Sequence, residues 1–222
     1  MINEKLKQEV QSLREDLISR YKDLHIHPEI GFNEKRTSMI IAQELKSYGL
    51  KVIEGIAITG VVGILDSGKP GKTIMIRADM DCLEILELAD IDYKSRTEGL
   101  MHACGHDIHM TVALGLLSYF SENQPQDNLL FFFQPAEESQ SGGMQAYEKR
   151  IFHDQFKPDE FYGLHDNPAL PAGSIGCRMG TLFAGTTEVN IDILGKSGHA
   201  AFPQDANAVS YTHLTLPTTP YV

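Results

Sequence analysis

Apolar positions at the start of the chain recur every three or four residues: Leu6, Val10, Leu13, Leu17, Tyr21 and Leu24. That period predicts one amphipathic helix over residues 4–24. The "HPE" at 27–29 ends it, because Pro28 disfavours helical geometry in the residue before it. A second helix is predicted over about 34–48, presenting Met39, Ile40, Ile41 and Leu45, with Gly49 as its stop. The texture then changes. "GVVGIL" and "TIMIRAD" are short apolar runs rich in β-branched residues, joined by "DSGKPGK", a loop or hairpin. "DIHMTVALGLLSYFSE" returns to helix, with Val112, Ala113, Leu116, Leu117 and Phe120 on one face. "NLLFFF" (128–133) reads as a strand buried on both faces. "GGMQAYEKRIFHDQF" predicts another helix and "EFYGLH" (160–165) another strand. This alternation predicts an α/β fold with a mixed, partly parallel sheet flanked by helices. After Pro168 the pattern shifts: "TEVNIDILG" puts Val189, Ile191 and Ile193 on one face, a one-sided strand of antiparallel type. A second domain is therefore expected to begin near 180–186.

Composition narrows the class. The 222 residues are 42% hydrophobic and 22% charged, enough to bury a core. A net charge of −11 argues against nucleic acid or an anionic membrane as partner. No apolar run approaches the ~18 residues a membrane span needs. The charged "MINEKLKQEVQSLRED" lacks the apolar core of a secretory signal. Cys82, Cys104 and Cys177 are too few and too scattered for a disulfide framework, and a reducing cytoplasm is expected.

The candidate chemistry concentrates in "MHACGHDIHM", where His102, Cys104, His106, Asp107 and His109 fall within eight positions. Three apolar strands run into ionisable groups: "TIMIRAD" into Asp79 and Asp81, "NLLFFF" into Glu137 and Glu138, "EFYGLH" into His165. In open α/β sheets the ligand site lies beyond the carboxyl ends of the strands. One rim would then gather Cys104, His106, Glu138 and His165. Sulfur, imidazole and carboxylate together suit a divalent transition metal (zinc, manganese or cobalt, one or two ions) better than calcium or magnesium. Such an ion lowers the pKa of water from ~15.7 to near 7. Glu137, beside the ligand Glu138, is placed to move the proton. Each group also has a plain structural role open to it: a Gly-containing turn, solvated glutamates, a core histidine. Asp107 is expected to cap the helix, His102 and His109 to support the ligands from behind or to be merely local, and Cys82 and Cys177 to take no part in the chemistry.

"DLHIHPEIGF", "IRADMDCLEI", "MHACGHDIHM", "FFFQPAEES", "GLHDNP" and "GKSGHAAFP", in this order over about residues 20–208, resemble the metal-dependent amidohydrolases of the aminoacylase/carboxypeptidase superfamily. The subfamily resembled contains hippurate hydrolases, auxin-conjugate hydrolases and N-acetyldiaminopimelate deacetylases, and the stretch from "NLLFFF" to "GHAAFP" is most similar to the last of these. The resemblance implies Cys104, His106, Glu138 and His165 as metal ligands and Glu137 as general base. It implies Asp79 as the acid that orients a ligand histidine. His199 is implied to reach a catalytic site from a lid domain and to stabilise an oxyanion, a homodimer through the lid being one route. The implied reaction is hydrolysis of a small-molecule N-acyl amino acid, N-acetyl-LL-2,6-diaminopimelate in the first instance. A general aminoacylase or hippurate-type hydrolase, or a non-catalytic metal-binding or interaction fragment, are the alternatives. Residues 1–182 are expected to form the first part of the catalytic domain and 183–208 the start of the lid. Residues 209–222, rich in threonine and proline where a helix is expected, read as a non-native tail. The family's returning sheet and last ligand histidine are not found, so the chain itself is expected to be truncated and inactive.

Overall fold

The alternating and continuous apolar runs build a five-stranded sheet: β1 (Lys51–Ile56), β2 (Gly60–Leu65), β3 (Thr73–Asp79), β4 (Asn128–Gln134) and β5 (Glu160–Gly163), in the order β1-β2-β4-β3-β5. In this computed structural model, residues 4–153, 157–183, 189, 191–199, 201–202 and 205–207 are described. β1, β2 and β4 pair antiparallel, while β3 pairs parallel with both β4 and β5. The sheet is mixed, as its alternation with helices predicted. The register sets Asp79 opposite Gln134 and Arg77 opposite Gly163, so three parallel strands end at one rim.

β4 is central, and its side chains alternate between two cores. Leu129, Phe131 and Phe133 join Leu24, Ile41, Leu45, Met110 and Leu117 on the face covered by α2 (Arg14–Ile26), α3 (Lys35–Ser47) and α4 (His106–Glu122). Leu130 and Phe132 join Met75, Val62 and Ala146 on the face covered by α5 (Gly142–Glu148). A strand buried on both faces reads as a continuous apolar run, and "NLLFFF" is one.

Several elements differ from the sequence reading. The first helix is two pieces, α1 (Glu4–Ser12) and α2, interrupted at Leu13. Of the two readings of "DSGKPGK", the loop holds and the hairpin does not, because β4 is inserted between β2 and β3. β1 was not foreseen: Lys51 and Glu54 interrupt its apolar run, as suits an edge strand half open to water. α4 turns Met110, Ala113, Leu114 and Leu117 inward and leaves Val112 exposed. On α3, Met39 is likewise exposed and Ala42 takes a buried place. α5 stops at Glu148, well short of the predicted helix, and β5 is an exposed edge strand with no two-sided burial.

The chain divides into two compact units, Met1–Ala169 and Leu170–Val222. Of "TEVNIDILG", Thr187, Glu188 and Asn190 lie outside the described residues, and 191–195 carry no strand. Val189, Ile191 and Leu194 are exposed there, without the cover or the pairing that a one-sided strand requires. The segment 209–222 also lies outside the described residues.

Candidate metal centre

The rim of parallel strand ends meets the start of α4. Gly105, with φ +76°, turns the chain between Cys104 and His106. Only glycine enters that region without strain. A Cβ there would also fall 2.2 Å from Asp166 Oδ1, so the missing side chain lets the loop after β5 close over the turn. Four groups of side chains come within mutual reach among the described residues: Cys104 with His106 and His165, His106 with Glu137 and Glu138, Asp79 with His106 and His109, and His109 with His165 and Asp166.

The hydrogen bonds fix which nitrogens face inward. His106 Nδ1 lies 2.8 Å from the carbonyl oxygen of Asp81. A carbonyl only accepts, so Nδ1 carries the proton and Nε2 points into the cluster. There Nε2 sits 3.6 Å from Asp79 Oδ2, 3.6 Å from Glu138 Oε1 and 3.9 Å from Glu137 Oε2. By the same reasoning His165 donates Nδ1–H to the Asp166 carbonyl at 2.8 Å and turns Nε2 toward Cys104 Sγ, 3.4 Å away. His106 Nε2 and Glu138 Oε1 are buried with no hydrogen-bond partner. Buried polar atoms are seldom left so. Donor atoms spaced ~3.3–3.7 Å apart are what tetrahedral bonds of ~2.0–2.3 Å to one ion require. The donor set therefore fits a divalent transition metal.

Charge supports the same assignment. Burial works against a charged His106, but Asp81, Asp79 and Glu138 outweigh it and lift the imidazole to about 9. Burial, with Glu138 and Glu137 close by, pushes the Cys104 thiol up to about 12. The carboxylates around His106 thus favour positive charge at this point of the cluster. Burial also raises Glu137, and Asp79 and Glu138 raise it further. Its side chain is still 39% exposed.

Asp81, His109, Arg77 and Asp166 join the sequence-derived set as the frame of this constellation. Asp81 is buried: its carbonyl holds His106, its Oδ1 lies 3.3 Å from His106 Nδ1, and its Oδ2 accepts the Glu138 N–H at 2.9 Å. His109, buried, bonds Asp79 Oδ1 at 3.0 Å and Asp166 Oδ1 at 3.2 Å, linking the end of β3 to the loop after β5. Arg77 Nη1 pairs with Asp79 Oδ2 at 2.7 Å. Asp79 thus touches both histidines of α4's first turn, with Arg77 offsetting its charge. Alternate ionisable residues along β3 were the available signal, for Arg77, Asp79 and Asp81 follow in steps of two. Asp107 is not the helix cap. The N-cap is Gly105, and Asp107 Oδ2 lies 2.6 Å from His25 Nδ1 in a buried pair. His199 lies in the second unit, where Nδ1 accepts the Ala201 N–H at 3.1 Å.

A mixed sheet whose parallel strands run out toward Glu and His donors, beside a Cys-x-His turn at the start of α4, defines a metallohydrolase-type scaffold. The sequence pattern of Peptidase family M20/M25/M40 matches residues 75–216, and the chain belongs to that family. It is 61% identical over 196 residues to an N-acetyldiaminopimelate deacetylase of Lactobacillus acidophilus, covering 86% of this chain and 51% of the relative. To the Limosilactobacillus reuteri protein of the same name it is 54% identical over 197 residues, covering 87% and 52%. The chain spans about half the length of the curated relatives it matches. Among solved structures it resembles a Bacillus subtilis dinuclear metal binding peptidase of the M20 family, with 32% identity and a TM-score of 0.71 over 76% of this chain and 47% of that one. An aminohydrolase from methicillin resistant Staphylococcus aureus, described as putative, matches with 34% identity and a TM-score of 0.64, over 68% and 40%.

Proposed function

We propose that a protein of the relatives' full length, carrying this chain as its first half, hydrolyses the amide bond of an N-acyl amino acid. The preferred substrate is N-acetyl-LL-2,6-diaminopimelate, giving LL-2,6-diaminopimelate and acetate in the cytoplasm, on the way to lysine. The observation that carries this reading is the buried pair His106 Nε2 and Glu138 Oε1, neither with a hydrogen-bond partner, beside a more exposed Glu137.

Cys104, His106, Glu138 and His165 would hold the ion, which is zinc, manganese or cobalt. A second ion, as in the dinuclear Bacillus subtilis relative, would draw on the same cluster. When bound it supplies a Lewis acid and lowers the pKa of water. The chain's own residues do the rest. The Asp81 carbonyl and the Asp166 carbonyl fix the tautomers of His106 and His165. Asp79 faces His106 and His109 as a fixed counter-charge. Glu137 takes one proton from the attacking water and delivers it to the departing amine, so the carboxylate is regenerated each turnover. His199 is the donor assigned to the developing oxyanion, in a lid that also forms the homodimer.

The test is metal content and turnover on N-acetyldiaminopimelate, hippurate and N-acetylmethionine, using full-length protein containing residues 1–207. Bound transition metal with preference for the first substrate is the expected result. Preference for hippurate or N-acetylmethionine would move the assignment to a general amidohydrolase. Absence of both metal and turnover would sink the hydrolase reading.

A further inference from the structure

A carboxylate far from the cluster in sequence is built against the turn that carries Glu137 and Glu138. Glu34 lies immediately before α3 and is fully buried. Its Oε1 accepts the Ala136 N–H at 2.8 Å, and its Oε2 accepts the Thr59 hydroxyl at 2.6 Å. Both partners are neutral. A buried carboxylate is costly and persists where its bonds compensate it. Burial accordingly raises the Glu34 pKa, while these two bonds hold it down.

The residue it grips is unusual. Ala136 has φ +48°, in the left-handed region that a Cβ disfavours. Strained residues persist when their surroundings over-determine them, and here they do. A Cβ on Gly31 would fall 2.9 Å from Ala136 Cβ, and one on Gly142 would fall 2.0 Å from the Pro135 carbonyl oxygen. The Ala136 carbonyl accepts the Gly142 N–H at 3.1 Å. The Glu138 N–H is then held by Asp81 at 2.9 Å. The two peptides that flank Glu137 are thus held by Gly142 and Asp81, and the Pro135–Ala136 peptide just before them is held by Glu34.

We propose that Glu34 is a positioning residue: its carboxylate pins the Pro135–Ala136 peptide, the start of the left-handed turn at Ala136, so that Glu137 stays open to solvent and Glu138 faces the cation. The proposal rests on the roles given above to Glu137 and Glu138. A carboxylate that merely anchored α3 would have no need of a partner 102 residues away on the catalytic turn.

Full-length protein carrying residues 1–207 is compared as wild type, Glu34→Gln, Glu34→Asp and Glu34→Ala. The readouts are Co(II) affinity, kcat and KM at saturating metal, and amide exchange at Ala136 without metal. Gln offers an acceptor to the Ala136 N–H and a donor to Thr59, so affinity and kcat should stay within about threefold of wild type. Asp keeps the charge but loses the reach. Asp and Ala should both lower Co(II) affinity about ten- to a hundredfold, the range for losing a partner that orients a ligand. They should lower kcat with little change in KM and speed exchange at Ala136. Variants that melt earlier but keep wild-type affinity and kcat would overturn the proposal, and so would a Gln variant as defective as Ala. Should Ala fail to fold, the contrast between Gln and Asp decides. A wild type that neither binds Co(II) nor turns over substrate refutes the hydrolase reading instead. The exchange at Ala136 then still reports whether Glu34 holds the turn.

Discussion

At the scale of single residues, the two glutamates after β4 share a backbone turn and divide their labour by exposure. Glu138 is 20% exposed with one oxygen buried and unpartnered, whereas Glu137 is 39% exposed and lies farther from His106 Nε2. Glu137→Gln should therefore leave metal affinity unchanged and lower kcat about 10²–10⁴-fold, the usual contribution of a general base. Metal titration beside steady-state kinetics measures both. A Gln variant with wild-type kcat would remove Glu137 from the proton transfer. The donor types were legible in the sequence, because a Cys-x-His turn and a Glu pair sit where strands run out. The residues that aim them were not. Asp81 holds His106 through a backbone carbonyl, His109 reaches Asp166 across the rim, and Glu34 reaches Ala136 across 102 positions. No local pattern marks a carbonyl as a ligand's partner, and no periodicity brings two distant loops together.

At the scale of elements, α2, the loop after β3 and the first turn of α4 are joined by one buried imidazole. His25 on α2 lies 2.6 Å from Asp107 on α4 and 3.2 Å from Glu87 in the loop, and Glu87 also accepts the Ser95 N–H at 2.7 Å. Tyr21 and Tyr93 pack against its ring. Asp107 raises the His25 pKa above its ordinary value, burial opposes this, and Glu87 adds to the rise. A raised folded-state pKa contributes stability that is complete below the unfolded value of ~6.5 and is lost as pH climbs through the folded value. Burial acts to raise Glu87, but Ser95 and His25 hold it below the ordinary range. Its contribution is present above the unfolded carboxylate value and lost as pH falls through the depressed one. His25→Ala leaves Asp107 and Glu87 buried without their cation and should cost about 3–5 kcal/mol at pH 6. The cost should be smaller at pH 9. Denaturant unfolding at the two pH values checks this, and an equal loss at both would contradict it. The helices that meet in this clamp were visible from their period. The clamp itself was not, since Asp107 carries the ordinary marks of a helix cap. The choice between loop and hairpin for "DSGKPGK" stayed open in the sequence for a related reason: β4 enters between β2 and β3 from far downstream, and pairing order is set by the whole sheet.

At the scale of the whole molecule, the sheet presents two unlike edges. β1 carries Lys51 and Glu54 and a register shift between Glu54 and Ile56, features that discourage pairing with another chain. β5 at the other edge is short but exposes Phe161 and Tyr162, 59% and 56% accessible. An open strand edge with aromatic side chains is a template for association. The net charge of −11 opposes it by mutual repulsion. Repulsion between exposed charges is screened over ~8 Å at 0.15 M salt, and over ~3 Å at 1 M. Apolar contact is not weakened in the same way. The 222-residue chain should therefore self-associate more as salt is raised, and Phe161→Lys should suppress that trend by placing a charge on the edge. Light scattering across a salt series on the two proteins reads the difference. Association that is insensitive to Phe161→Lys would show that another surface drives it, and association that falls with salt would show that charge attraction, not the bare edge, brings the molecules together.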